Sequence, residues 1–328
     1  MTSEPTHSAA PAARKPRRLG LYIPWGLAAI LAIAWSAGWL WLAHETGRRI
    51  DASVAGLRAA GWQASWSARQ VGGYPFRIDA DFTNLRLADP SGWGLSVPTV
   101  KSEANVFAPT HWIIAAPAGL TFTRPGGGPV TVAARLLRAS INGWDKSPPN
   151  IVLQGDDLTL TPAAGAGAFW LQSAKTLQMA TRPAPDDQGE VWFSLAGATV
   201  APQSWMGQIA RGGPVNITFD GVVFRAGALR GGDWRDAARN WTHSGGGLDV
   251  RQFTLTAGEA SLDSRRGSLA VADDGGLVGE LDANLGQPAR LFAGLRAQPG
   301  ETQTLKITFH NGYAWLGPVR IAPAPDLF

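Results

Sequence analysis

The sequence predicts a mainly β protein: an N-terminal transmembrane helix followed by an elongated, curved antiparallel β-sheet domain with a few short helices. Three observations predict it. Residues 19–43 form an apolar run without a single charge. After Gly61 the apolar period changes from 3.6 residues to 2. Short alternating runs then recur, separated by Gly- and Pro-rich turns, at spacings too close for crossover helices.

The elements follow in order. Residues 1–18, MTSEPTHSAAPAARKPRR, read as a disordered cytoplasmic tail. Residues 19–43 read as a transmembrane helix. At 1.5 Å per residue this run spans about 37 Å, enough for a hydrocarbon core of roughly 30 Å. Tyr22 and Trp25 stand near one end, and Trp35, Trp39 and Trp41 near the other, as in the aromatic belts of spanning helices. Pro24 is placed in the first turn, where its missing N–H costs little. Arg14, Lys15, Arg17 and Arg18 precede the run, whereas Arg48 and Arg49 beyond it are offset by Glu45 and Asp51. The positive-inside rule therefore puts the N-terminus in the cytoplasm and the rest across the membrane. A cleaved signal peptide is the rival reading. The run is longer than a signal peptide's apolar region, and no A-x-A site follows it.

Residues 44–60 read as a juxtamembrane helix, with Ile50, Val54 and Leu57 on one face and Gly61 as its stop. Residues 61–328 form the β-rich domain. In YPFRIDADF, Phe76, Ile78, Ala80 and Phe82 alternate with Arg77, Asp79 and Asp81. Phe76 is the expected first core residue of that strand. Further strands are predicted at Leu95–Val106, Gly119–Thr123, Val130–Ile141, Ile151–Thr161, Phe169–Thr181, Glu190–Ala196, Val215–Arg225, Leu248–Thr256, Ala260–Asp263, Gly267–Ala272, Leu277–Asp282 and Thr304–His310. Short helices are predicted at Pro202–Ala210, at Asp233–Trp241 with Asp233 as N-cap, and at Gln287–Ala297. Residues 200–214 offer the best place for an internal boundary.

Composition excludes several function classes. The chain has no Cys, so disulfides, thiolate metal sites and cysteine nucleophiles are out. The formal charge of +4 belongs mostly to the N-terminal cluster, so no basic face suggests a nucleic-acid partner. The 5 His residues have no ligand spacing, and no HExxH, G-x-S-x-G or P-loop is present. No metal or cofactor is expected. Asp79 and Asp81 share a strand face with Arg77 and read as a solvated face, not an acid–base pair. Ser204 and Ser244 lack any sign of activation.

Several stretches together carry a resemblance. They are Gly61-Trp62 with Trp66, GGYPFRID at Gly72–Asp79, FTLTAGEASLDSRRGSLAVADDGGLVGELD, and NGYAWLGPVRIAPAP at Asn311–Pro325. With the N-terminal anchor, they resemble the bacterial family called domain of unknown function 2125. That resemblance implies a membrane-anchored envelope protein of Gram-negative bacteria, and it implies no catalytic residues. A looser similarity, in pattern only, is to AsmA-like envelope proteins, which are linked to lipid transport.

The expected protein is thus a single-pass inner-membrane protein with its main domain in the periplasm. The expected function is non-enzymatic: binding or passing a hydrophobic ligand, a lipid, in envelope maintenance. The alternatives are a structural or partner-binding envelope protein without ligand, and an unrecognised hydrolase. Phe76, Ile78 and Phe82 are the candidate ligand-binding apolar face. Tyr22, Trp25, Trp39, Trp41, Trp62 and Trp66 are the candidate membrane-interface residues; Trp62 and Trp66, four residues apart, are expected at headgroup level.

Overall fold

The computed structural model describes residues 19–286 and 304–324. One helix, α1 (Leu19–Ala59), runs through both the predicted spanning segment and its juxtamembrane continuation. Nothing between Ala43 and Ile50 breaks it, because every backbone group is satisfied within the helix whatever surrounds it. Pro24 lies past the first turn, and the helix continues through it. Gly61 ends α1 as predicted. It has φ +87°, the Gly61 amide donates to the Arg58 carbonyl and the Trp62 amide to the Leu57 carbonyl, both at 3.0 Å. This is a Schellman stop, which needs a left-handed residue at that position.

Among the remaining described residues lies an 18-stranded sheet whose pairings are all antiparallel. β1 (Gln63–Ser65) and β2 (Ala68–Gly72) share one edge of β3 (Arg77–Ala88). β4 (Gly94–Asn105) takes the other edge. The far edge of β4 is divided between β5 (Ala108–Ala115) and β6 (Leu120–Arg124). β7 (Gly128–Ala133) extends β6 and β8 (Leu136–Asn142) extends β5, and both rejoin on β9 (Asn150–Pro162). From there a plain meander runs through β10 (Leu171–Ala184), β11 (Gln188–Val200), β12 (Val215–Phe224), β13 (Gly247–Ala257), β14 (Ala260–Val271), β15 (Leu277–Leu285), β16 (Thr304–His310), β17 (Tyr313–Leu316) and β18 (Val319–Pro323). Two short helices cover loops. α2 (Trp205–Ala210) links β11 to β12, with Ser204 as its N-cap. α3 (Trp234–His243) links β12 to β13, capped by Asp233 as predicted. The sheet pairs β11 directly with β12, so residues 200–214 mark no break in it. The helix predicted at Gln287–Ala297 lies outside the described residues.

The sheet does not run flat. Register shifts interrupt the pairings of β10 with β11, β11 with β12, β12 with β13, and β14 with β15. Asn84, Asp157 and Gly197 adopt positive φ inside strands. Such bulges bend strands and increase their twist. The connection between β12 and β13 accordingly returns to the turn between β3 and β4. The Trp234 amide donates to Asp89 Oδ2 at 3.4 Å, and Trp62 Nε1 donates to the Gly232 carbonyl at 2.6 Å.

Candidate functional site

Following the register across the sheet shows two chemically opposite faces. One row reads Ile114, Ala139, Leu153, Met179, Phe193, Phe219 and Phe253 on successive strands from β5 to β13. The row beside it reads Leu177, Leu195, Ile217, Leu255, Leu262 and Leu285. A third begins with Ile78 opposite Ala104 and continues through Trp112, Ile141 and Ile151. On the other face, one residue along, the row reads Gln154, Gln178, Ser194, Thr218, Thr254, Asp263 and Asn284. Period-2 alternation, kept in register from strand to strand, makes the whole sheet amphipathic.

The apolar face is sealed in some places and open in others. Leu195, Val215, Val130 and Ala198 are at most 1% exposed, in a cluster against which Met206 and Ile209 of α2, Phe122 and Phe169 pack. Met179, Phe193, Phe219 and Phe253 remain half-buried. Beside α2 lies a hollow of about 80 Å³, lined by Trp205, Ile209, Leu255, Leu262, Ile307 and Leu316 among others. A hollow so lined holds water poorly and suits methylene groups.

The three predicted ligand residues do not form one surface. β3 starts at Arg77, so Phe76 is not a core residue; it is 58% exposed and packs against Trp35 of α1, ring centroids 6.0 Å apart. Ile78 is sealed at 1% exposure. Phe82 is half-buried and meets Trp66 edge-on at 5.4 Å.

The predicted interface residues divide likewise. Tyr22, Trp25 and Trp41 are exposed on α1. Trp39 donates to the Arg77 carbonyl at 2.8 Å and meets Tyr74 edge-on. Trp62 follows the other end of α1, which lies about 30 Å from Trp39 along the helix axis, and Trp66 stands on the chain's return beside the helix, between Ala64, bonded to Arg58, and Arg69, bonded to Asp51. There Trp62 bonds to Gly232, and Arg69 lies over Trp66.

The polar candidates are engaged in surface pairs. Arg77 bonds Glu103 and lies 3.7 Å from Asp79, and Lys101 pairs with Asp81. Arg135 holds Asp157 at 2.8 Å and Asp156 at 3.2 Å, at the bulge in β9. Bonds from Arg182 and Arg251 keep the Glu190 carboxyl below the usual carboxylate range. Ser204 and Ser244 serve helix ends. Among the described residues no group of three His, Asp or Glu could hold a metal.

These features define a class: an amphipathic antiparallel sheet carried by one helix long and apolar enough to cross a membrane. Residues 39–305 match the family described as an uncharacterized protein conserved in bacteria, DUF2125, and the chain belongs to it. No curated protein and no solved structure matches the chain.

Proposed function

We propose that the protein is a single-pass inner-membrane protein with a cytoplasmic N-terminus, and that its periplasmic sheet binds or passes lipid by taking acyl chains along its apolar face. One observation carries the reading: the apolar rows run in register over many strands, yet the row of Met179, Phe193, Phe219 and Phe253 stays half-open from β10 to β13. A face left that open keeps apolar surface in water unless something covers it. An acyl chain is the occupant nearest to hand, since the row holding Ile78 starts two residues from Phe76, beside the apolar part of α1. The reading is non-enzymatic. The paired carboxylates noted in the sequence, Asp79 and Asp81, lie against Arg77 and Lys101 at the surface, which supports it.

The test is photocrosslinking of the full chain, in vesicles, with a phospholipid carrying a diazirine on its acyl chain. Adducts are expected on peptides of β10 to β13. Adducts confined to α1 would replace this reading with that of a structural or partner-binding protein. Orientation is tested separately. A reporter active only outside the cytoplasm, fused after residue 60, is expected to be active, and an inactive fusion reverses the topology.

A further inference from the structure

We propose that Tyr74, Phe76 and Phe107 form an aromatic foot that rests in the interfacial layer of the bilayer crossed by α1, on the side occupied by the sheet. The three side chains are 55%, 58% and 75% exposed, an unusual degree for large apolar groups from neighbouring loops. Both loops are held in place. The Arg77 amide donates to the Gly73 carbonyl at 2.9 Å, where Gly73 has φ +99°. The Val106 amide donates to the Phe76 carbonyl at 3.1 Å, and the Phe107 amide to Asn105 Oδ1 at 2.9 Å.

The helix sets the depth. Residues 22–34 of α1 are exposed, and sheet-domain contact begins at Trp35. Trp35 Nε1 donates to the Pro75 carbonyl at 3.0 Å, and its ring lies 6.0 Å from Phe76 and 5.6 Å from Phe107. The hydroxyls of Ser36 and Tyr74 are 2.9 Å apart. A spanning helix needs about 20 residues. Counted from Leu19, the first residue after the basic cluster, the span therefore ends near Trp39. The foot is bonded to residues 35–39, so it stands at the level where the hydrocarbon ends. Tyr and Trp are favoured at that level because one end of each ring is apolar and the other polar. Above the foot, Arg77, Asp79 and Glu103 begin the charged part of the sheet, which sets an upper limit to immersion.

This inference concerns how the domain stands on the bilayer and does not depend on the lipid reading. The absence of Cys makes it testable with single labels. Full-length Phe107→Cys and, in a second protein, Phe76→Cys carry an environment-sensitive fluorophore in phospholipid vesicles. Glu259→Cys, in the exposed turn between β13 and β14, is the reference. Labels at 107 and 76 are expected to be quenched by lipids spin-labelled near the headgroup and to be several-fold less accessible to iodide than the label at 259. If circular dichroism shows one foot variant misfolded, the other decides. Labels in folded protein that meet iodide as freely as position 259, with no quenching from lipid, overturn the proposal.

Discussion

Leu195 and Phe193 are two residues apart on β11, on the same face of the sheet and in one hydrophobic cluster, yet they are sealed to different degrees. Leu195 is 1% exposed, while Phe193 is half-buried in a row that crosses to Phe219 and Phe253. The sheet treats the two positions alike. What differs is the place in one cluster: Leu195 is among its fully buried residues, whereas Phe193 packs against it from the side, as do Met206 and Ile209 of α2, Phe122 and Phe169. Apolar character alone does not make a core; a second layer does.

Mutation can break the comparison or sharpen it. Leu195→Ala is expected to have the largest effect, a loss of about 2–5 kcal/mol, because the cavity left in the cluster has little room to collapse. Denaturant unfolding measures it as a lower midpoint with unchanged slope. A loss well under 1 kcal/mol would mean that the cluster is not sealed. Phe219→Ala is expected to cost about 1–2 kcal/mol, less than the cost for a fully packed Phe, since part of its ring never left water. It should nonetheless reduce acyl-chain crosslinking to β10–β13. Thr218→Ala, next door on the polar face, is the control: it should shift stability by no more than about 0.5 kcal/mol and leave crosslinking intact. Equal effects of the Phe219 and Thr218 changes on crosslinking would remove the distinction between the faces.

Alternation made the sheet legible, and its lapses explain where the reading fell short. In IVLQGDDLTLT the apolar positions are Ile151 and Leu153, then Leu158 and Leu160, a change of parity across Asp156-Asp157. That slip is the bulge at Asp157, and the same slip across Arg265-Arg266 made one strand, β14, read as two. Val130–Ile141 erred the other way: its pattern looks continuous, but the chain leaves β7 and re-enters as β8 around Arg135, which bonds to that same pair of Asp residues on β9. β1, β2, β17 and β18 were not predicted, because such short strands are chosen by the edge they join, not by their own pattern, and the longer β5 was missed as well. Phe76 was misread for a related reason. Its place is decided by Trp35, a partner about forty residues away that no local period can reveal. The apolar face as a class of surface was visible in the sequence; which part of it stays open was not, since that depends on which distant segments pack over it.

The unbroken course of α1 has a mechanical consequence. From Trp35 to Ala59 the helix lies along the edge made by β1 and β2, tied by Arg69 to Asp51 and by Arg58 to the Ala64 carbonyl. If its apolar part spans a bilayer, as proposed above, it acts as a lever whose short arm is in the bilayer and whose long arm lies against the sheet. The long arm measures about 37 Å, so a tilt of about 20°, ordinary for a spanning helix, carries its upper end sideways by about 13 Å. A change in bilayer thickness that alters the tilt would thus be felt at Trp62 and at the start of α3, at the end of the helix away from the bilayer.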